Sequence, residues 1–154
     1  MPEILLPVRH FRQSNEASCL AACARAVLAY TGDARSEKTL IDLLDIDLAF
    51  GAPASRLLRL SRWGYQVDYD SFSLPLLRVS LVRNVPPIVL IKTGFLNYWT
   101  ENAAHACVLV GLDETSAFLN DPWLSSGPQV VSLVELMAAW TEMDYLAAMI
   151  YRVL

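Results

Sequence analysis

Hydrophobic and polar positions along the chain change their period about half-way. From Ser18 to Tyr30 the run SCLAACARAVLAY is rich in Ala and free of Gly and Pro, and Thr31-Gly32-Asp33 follows as a stop. This pattern predicts a buried helix over 18–30 with Gly32 near its C-cap, and that helix opens on a cysteine. Ser36 followed by Glu37 and TLIDLL predicts a second short helix. Ala54 to Trp63 (ASRLLRLSRW), with Pro53 just before it and Gly64 just after, predicts a third. Tyr65 to Tyr69 (YQVDY) alternates as a short strand does, and Leu74 to Arg83 returns to helical spacing before the Pro86-Pro87 break.

Beyond that break the apolar runs shorten and become β-prone. Ile88 to Ile91, Ala106 to Leu112, Ala117 to Asn120, Gln129 to Ser132 and Met149 to Val153 are separated by Gly, Pro, Asn and Asp, the signature of an antiparallel sheet. One more helix is expected near Leu133 to Trp140. Helices first and strands second predict an α+β fold, its N-terminal helical half packed through the 18–30 helix on a C-terminal antiparallel sheet. No internal repeat, low-complexity segment or linker divides the 154 residues, so 1–154 is expected to be a single domain.

Composition removes several function classes. Hydrophobic residues make up 55% and charged residues 18%, with a mean hydropathy of +0.35, which raises the question of a membrane. The longest uncharged stretch, Pro122 to Val134, has 13 residues and contains Pro, Gly and Ser. A spanning helix needs about 20 apolar residues, so no membrane insertion is expected. The opening MPEILLPVRHFRQ lacks a basic region ahead of its apolar patch and does not read as a secretory signal, which predicts a cytoplasmic protein. Twelve Lys and Arg against sixteen Asp and Glu give a net charge of -4, and the local basic cluster Arg56, Arg59, Arg62 lies at helical spacing in a mixed sequence. Nucleic acid is not an expected partner. Three cysteines in apolar company fit reduced thiols better than a disulfide framework.

A cysteine in the first turn of a helix has its thiolate favoured by the dipole and by free backbone N–H groups, and Cys19 occupies that position. Its own N–H can serve as one oxyanion donor, and Gln13, in Q-S-N-E-A-S-C, is spaced to supply a second. A thiol nucleophile also needs an imidazole to take its proton, and the chain has two histidines. His10 falls in a segment that reads as exposed. His105 opens the strand HACVLVGL after the polar loop 100–102, at a strand mouth where a side chain can face a cleft. Asp121, in F-L-N-D-P at the end of the next strand, can orient that imidazole if the two strands form a hairpin through Gly111 to Ser116. Each residue alone has a plainer reading: a core thiol, a strand-end histidine, a turn-initiating Asp before Pro. Joint occurrence in one order favours catalysis.

The pattern of Gln13, five residues, Cys19, then His105 opening V-L-V-G and N-D-P at 120–122 resembles the bacteriocin-processing (double-glycine leader) peptidases of the papain-like clan. The resemblance runs from about Phe11 to Trp123. It implies a papain-like cysteine peptidase domain with Cys19, His105 and Asp121 as its triad, Gln13 lining the oxyanion hole, no cofactor or metal, and a peptide substrate cut after a small-residue pair in a leader. Members usually carry Gly after the nucleophile, where this chain has Leu20, and often an acidic residue before it, where this chain has Ser18. The typical member is the N-terminal domain of a membrane exporter with an ATPase; without those segments the chain is expected to act as a stand-alone hydrolase on a peptide or isopeptide bond.

Two readings from other classes remain. Cys19, Cys23, Cys107 and His105 could together surround a zinc ion, although no CxxC spacing is present. Alternatively the same fold could serve as a peptide-binding module without turnover. Tyr98, Trp99 and Trp123 cluster near the candidate triad in sequence. The first two are expected to border a substrate groove, and Trp123 to shield the ion pair from water.

Overall fold

A computed structural model describes residues 4–153 of the chain. It opens with the strand β1 (Ile4–Leu5), followed by the helices α1 (Cys19–Tyr30) and α2 (Glu37–Leu44) and a 3₁₀ helix at Ala54–Trp63. Then come β2 (Tyr65–Ser71), α3 (Leu74–Val82), β3 (Ile88–Lys92), β4 (Ala104–Leu112), β5 (Ser116–Asn120), β6 (Gln129–Ser132), α4 (Leu133–Thr141) and β7 (Leu146–Arg152). A one-turn 3₁₀ segment, Thr93–Phe95, follows β3.

The order agrees with the pattern read from the sequence, with three differences. The segment 54–63 winds as a 3₁₀ rather than an α-helix. The last strand begins at Leu146, earlier than expected, and β1 was not foreseen. Helix ends fall where local chemistry puts them. Ser36 accepts a hydrogen bond from Thr39 N–H at the start of α2, and Ser132 with Glu135 forms a reciprocal capping box on α4. Gly32, at φ +91°, follows α1 in the left-handed conformation that glycine takes most readily.

The described strands join in one antiparallel sheet of order β2-β7-β3-β4-β5-β6, with β1 pairing the far end of β4. Side chains alternate across it. Leu90, Ala106, Val108, Val110, Ala148 and Ile150 pack with α1, α2 and the 54–63 helix on one face. Val89, Ile91, Cys107, Leu109, Ala147 and Met149 pack with α3 and α4 on the other. A sheet covered on both faces explains why β4 reads as a continuous apolar run instead of an alternating one. The helical layer is therefore split, with α1 lying along β4 on one side and α4 against β3 on the other. Among the described residues no helix is long and apolar enough to cross a membrane.

Two features of this frame position the site. Cys19 is the first residue of α1, whose buried face (Leu20 to Ala24, Ala26 to Leu28) docks on β4. The β4-β5 register pairs Val108 with Asn120, so Asp121 leaves the sheet one step further on, beside the strand that carries Cys107 and His105.

Candidate active site

Asp121 is fully buried and its carboxylate is saturated with donors. Oδ1 accepts from His105 Nε2 at 2.7 Å and from Trp123 N–H at 3.0 Å. Oδ2 accepts from the Tyr98 hydroxyl at 2.7 Å and from Trp99 Nε1 at 2.9 Å. A buried carboxylate without such partners would take up a proton. Burial opposes its charge, but His105, Tyr98 and the Trp123 amide outweigh that and hold its pKa below the ordinary 3.8.

Because a carboxylate only accepts, His105 Nε2 carries a hydrogen, and Nδ1 is the nitrogen left for Cys19. Cys19 and His105 line the same cleft, and each shifts the titration of the other. Burial alone would lower the imidazole pKa; the hydrogen bonds and charges of Asp121 and Cys19 instead raise it to about 9. Burial alone would raise the Cys19 pKa, yet His105 and the backbone of Ala106 and Leu20 bring it below its ordinary 9.0. The other two thiols go the opposite way: burial pushes Cys23 and Cys107 well above that value, and Cys23 donates its S–H to Ala106 O at 3.4 Å. Of three cysteines, then, the one at the helix tip is the one that ionises readily. The arrangement can hold a thiolate–imidazolium pair backed by a carboxylate.

The tip of α1 favours that state. Ser18 occupies the cap position, but its hydroxyl exchanges hydrogen bonds with Asn15 instead of capping the helix. The first-turn N–H groups thus have no side-chain cap and face the thiol end with the positive pole of the helix. Leu20, next to the nucleophile, is 4% exposed and packs into the core cluster on the α1 face.

A sequence profile of the peptidase C39 family matches residues 8–149. The chain belongs to the peptidase C39 family. Its fold is that of known C39 structures. A C39-like peptidase from Bacillus anthracis superposes with a TM-score of 0.82 at 15% identity, covering 99% of each chain. The peptidase domain of Streptococcus ComA, a bi-functional ABC transporter involved in a quorum sensing pathway, gives 0.76 at 16%, over 95% of this chain and 99% of that one. A double glycine motif protease from an AMS/PCAT transporter, in complex with the leader peptide, gives 0.70 at 18%, over 99% and 100%. No curated protein matches the sequence. These matches place the C39 chain in the papain-like fold and make it a cysteine peptidase by family.

Other residues singled out in the sequence surround Cys19, His105 and Asp121. Gln13 is buried on the loop ahead of α1, but its two amide hydrogens go to the carbonyls of Asn15 (2.9 Å) and Glu16 (3.2 Å), while Oε1 is buried with no partner among the described residues. Its backbone N–H donates to Pro122 O at 2.8 Å, tying this loop to the Asp121 turn. Tyr98 and Trp99, expected along a groove, spend their polar hydrogens on Asp121. Trp99 stands edge-on to His105 at 5.1 Å between ring centroids, and Trp123 leans on Trp99 at 5.4 Å with 41% of its surface exposed. Trp123 thereby covers the outer side of the ring that flanks the imidazole. His10 is half-buried, not exposed, its Nε2 donating to Leu124 O at 2.7 Å.

The liganding atoms of His105, Cys107 and Asp121 lie within 4.8 Å of one another and form the metal-like cluster nearest to the zinc reading. Each Asp121 oxygen already serves two donors, one of them His105 itself, so the donor set is closed by hydrogen bonds. Glu37 was read only as a helix start. It is buried, and its carboxylate takes the N–H of Ser14 (3.0 Å to Oε2) and the Ser14 hydroxyl, clamping the residue after Gln13 to α2. A buried carboxylate 23 positions from its partner leaves no local trace in sequence.

Proposed function

We propose that the chain hydrolyses a peptide bond with Cys19 as nucleophile, His105 as general base and acid, and Asp121 as the group that orients and charges the imidazole. The observation that carries the reading is the placing of Cys19 and His105 in one cleft, with His105 bonded to the buried Asp121 at 2.7 Å; beside it the thiol pKa is lowered and the imidazole pKa raised. In this scheme the Cys19 thiolate attacks the carbonyl carbon, and the oxyanion meets the Cys19 N–H at the uncapped helix tip. The C–N bond then breaks, the His105 imidazolium gives its proton to the leaving amine, and a thioester remains. Water, deprotonated by His105, hydrolyses the thioester and restores the pair.

Gln13 is the proposed second oxyanion donor. It takes that role if substrate draws one N–H away from the Asn15 or Glu16 carbonyl. The substrate class is a peptide or protein segment in the cytosol, and bonds after a small-residue pair are the first candidates. A structurally similar double glycine motif protease, bound to a leader peptide, supports that choice.

Iodoacetamide titration across pH tests the site. Cys19 should be alkylated at lower pH than an ordinary thiol, and His105→Ala should remove the advantage. Internally quenched peptides containing a Gly-Gly pair should be cut by the wild type and not by Cys19→Ala. If Cys19 reacts no faster than free cysteine, the fold serves as a binding module and the peptidase reading fails.

A further inference from the structure

The cleft that holds Cys19 and His105 has a volume of about 400 Å³, and one of its walls is a small loop that the chemistry above does not use. Leu48, Ala49, Phe50 and Gly51 line it together with Cys19, Ala104 and His105. Phe50 is 91% exposed and Leu48 50%, so the wall presents a phenyl ring and an isobutyl group to water.

This loop is closed and rigid. Asp47 N–H donates to Gly51 O (3.2 Å) and Gly51 N–H to Asp47 O (2.6 Å). The Asp47 carboxylate collects the N–H groups of Ala49 (2.8 Å) and Phe50 (3.3 Å) from inside the turn. Arg56 Nη1 holds the loop's base through the carbonyls of Leu44 (3.1 Å) and Asp45 (2.8 Å). Gly51 closes the turn at φ +85°, and a Cβ there would come within 3.9 Å of Ala17 O, next to the helix tip.

An aromatic ring held almost wholly in water by a pinned backbone adds nothing to the core. It is, however, placed for a ligand at the cleft, because the backbone that carries it is already held and need not be ordered when an apolar group covers the ring. The rest of the lining includes Glu16, Ala17, Ala104, His105 and Leu20, the last only 4% exposed, so the large exposed apolar side chains of this cleft are on the loop.

We propose that the 47–51 loop is the specificity wall of the cleft, and that Phe50, with Leu48, receives an apolar side chain of the peptide close to the cleaved bond but outside the small-residue pair. The proposal rests on the peptidase reading of Cys19. The loop selects by removing the phenyl ring and the substrate side chain from water together, and it disfavours acidic residues at the same position because the carboxylates of Asp47 in the loop and Glu16 at the cleft repel them.

The test uses an internally quenched peptide library varied one position at a time, with iodoacetamide alkylation of Cys19 as a parallel measurement. Wild type should cut peptides with Leu, Met or Phe at one position near the bond about tenfold faster than those with Asp or Gly there. Phe50→Ala and Phe50→Asp should flatten that preference while alkylation of Cys19 stays at the wild-type rate, and Phe50→Leu should retain most of it. An unchanged cleavage profile in Phe50→Ala overturns the proposal, also if the variant loses self-association in sedimentation, since Phe50 would then be a protein contact. Sluggish alkylation of Cys19 in wild type and variants alike marks instead a failure of the peptidase reading, and the specificity wall falls with it.

Discussion

Trp99 donates its indole N–H to Asp121 Oδ2 at 2.9 Å while its ring meets His105 edge-on at 5.1 Å. One side chain thus fixes the carboxylate from behind and the imidazole from the side. Trp99→Phe keeps an aromatic ring in place but deletes the donor. A hydrogen bond to a charged group contributes about 1.5–3 kcal/mol, so kcat should fall roughly tenfold to a hundredfold with little change in KM. A variant in which KM rises and kcat holds would return Trp99 to the substrate groove and remove it from the positioning of Asp121. Tyr98→Phe deletes the other Oδ2 donor and should behave alike.

The coupling of Cys19 and His105 sets a pH window. The thiolate–imidazolium pair exists above the lowered pKa of Cys19 and below the His105 pKa of about 9. kcat/KM should therefore rise from acid pH on a limb below 9.0, and fall as pH climbs through about 9, when the imidazolium that must protonate the leaving amine is lost. Asp121→Asn removes the negative charge that favours the imidazolium. The alkaline limb should move to lower pH, and the acid limb upward because Cys19 loses part of its cationic partner. A bell that keeps both limbs in Asp121→Asn would show that the carboxylate does not charge the pair.

Much of this site is written in local pattern. The Ala-rich run after Cys19 spells a buried helix with the thiol at its tip, and HACVLVGL followed by AFLND spells a hairpin whose ends bring His105 and Asp121 together. Periodicity reports which face of an element is buried and so places Cys19 and His105, whereas the pairing of Asp121 with them rested mostly on the family resemblance. What escaped the sequence depends on distant partners. β1 exists because Ile4 and Leu5 find Leu112 and Gly111, more than a hundred positions on. Tyr98 and Trp99 look like groove aromatics until the loop 93–103 is folded. Thr93, bonded to Glu101 O and Ala103 N, and Asn97, bonded to Glu135, then turn them toward Asp121. The winding of 54–63 also went unread, since apolar spacing over ten residues does not separate a 3₁₀ from an α-helix.

The clamp between Glu37 and Ser14 predicts an effect away from the triad. Glu37→Ala removes the acceptor of Ser14, whose N–H and hydroxyl, on an exposed residue, then turn to water, at a cost of about 0.5–1.5 kcal/mol. Urea denaturation should show that loss, and the freed 13–18 loop should lower kcat by a factor that exceeds any change in the alkylation rate of Cys19. Glu37→Gln retains an acceptor oxygen and should recover part of both. Equal losses of turnover and alkylation in Glu37→Ala would mean that the clamp acts on α1 as a whole and not on the Gln13 loop.

Gly111 predicts the sharpest purely structural cost. A Cβ built there would lie 2.5 Å from the backbone oxygen of Ile4 and 3.1 Å from the Phe118 ring, so Gly111→Ala must displace β1 from β4. Overpacking against backbone costs about 1–3 kcal/mol, and at roughly 2–4 °C per kcal/mol for a domain of this size Tm should drop by several degrees. Gly32→Ala is the control. It meets nothing within 4 Å but must hold φ at +91°, a strain of about 1–2 kcal/mol confined to the end of α1. Thermal melts of the two variants separate the mechanisms when combined with hydrogen exchange: Gly111→Ala should lose protection at Leu6 N–H, which donates to Val110 O at 2.8 Å, whereas Gly32→Ala should leave it intact. Full protection of Leu6 in Gly111→Ala would show that β5 gives way at Phe118 and that β1 stays seated.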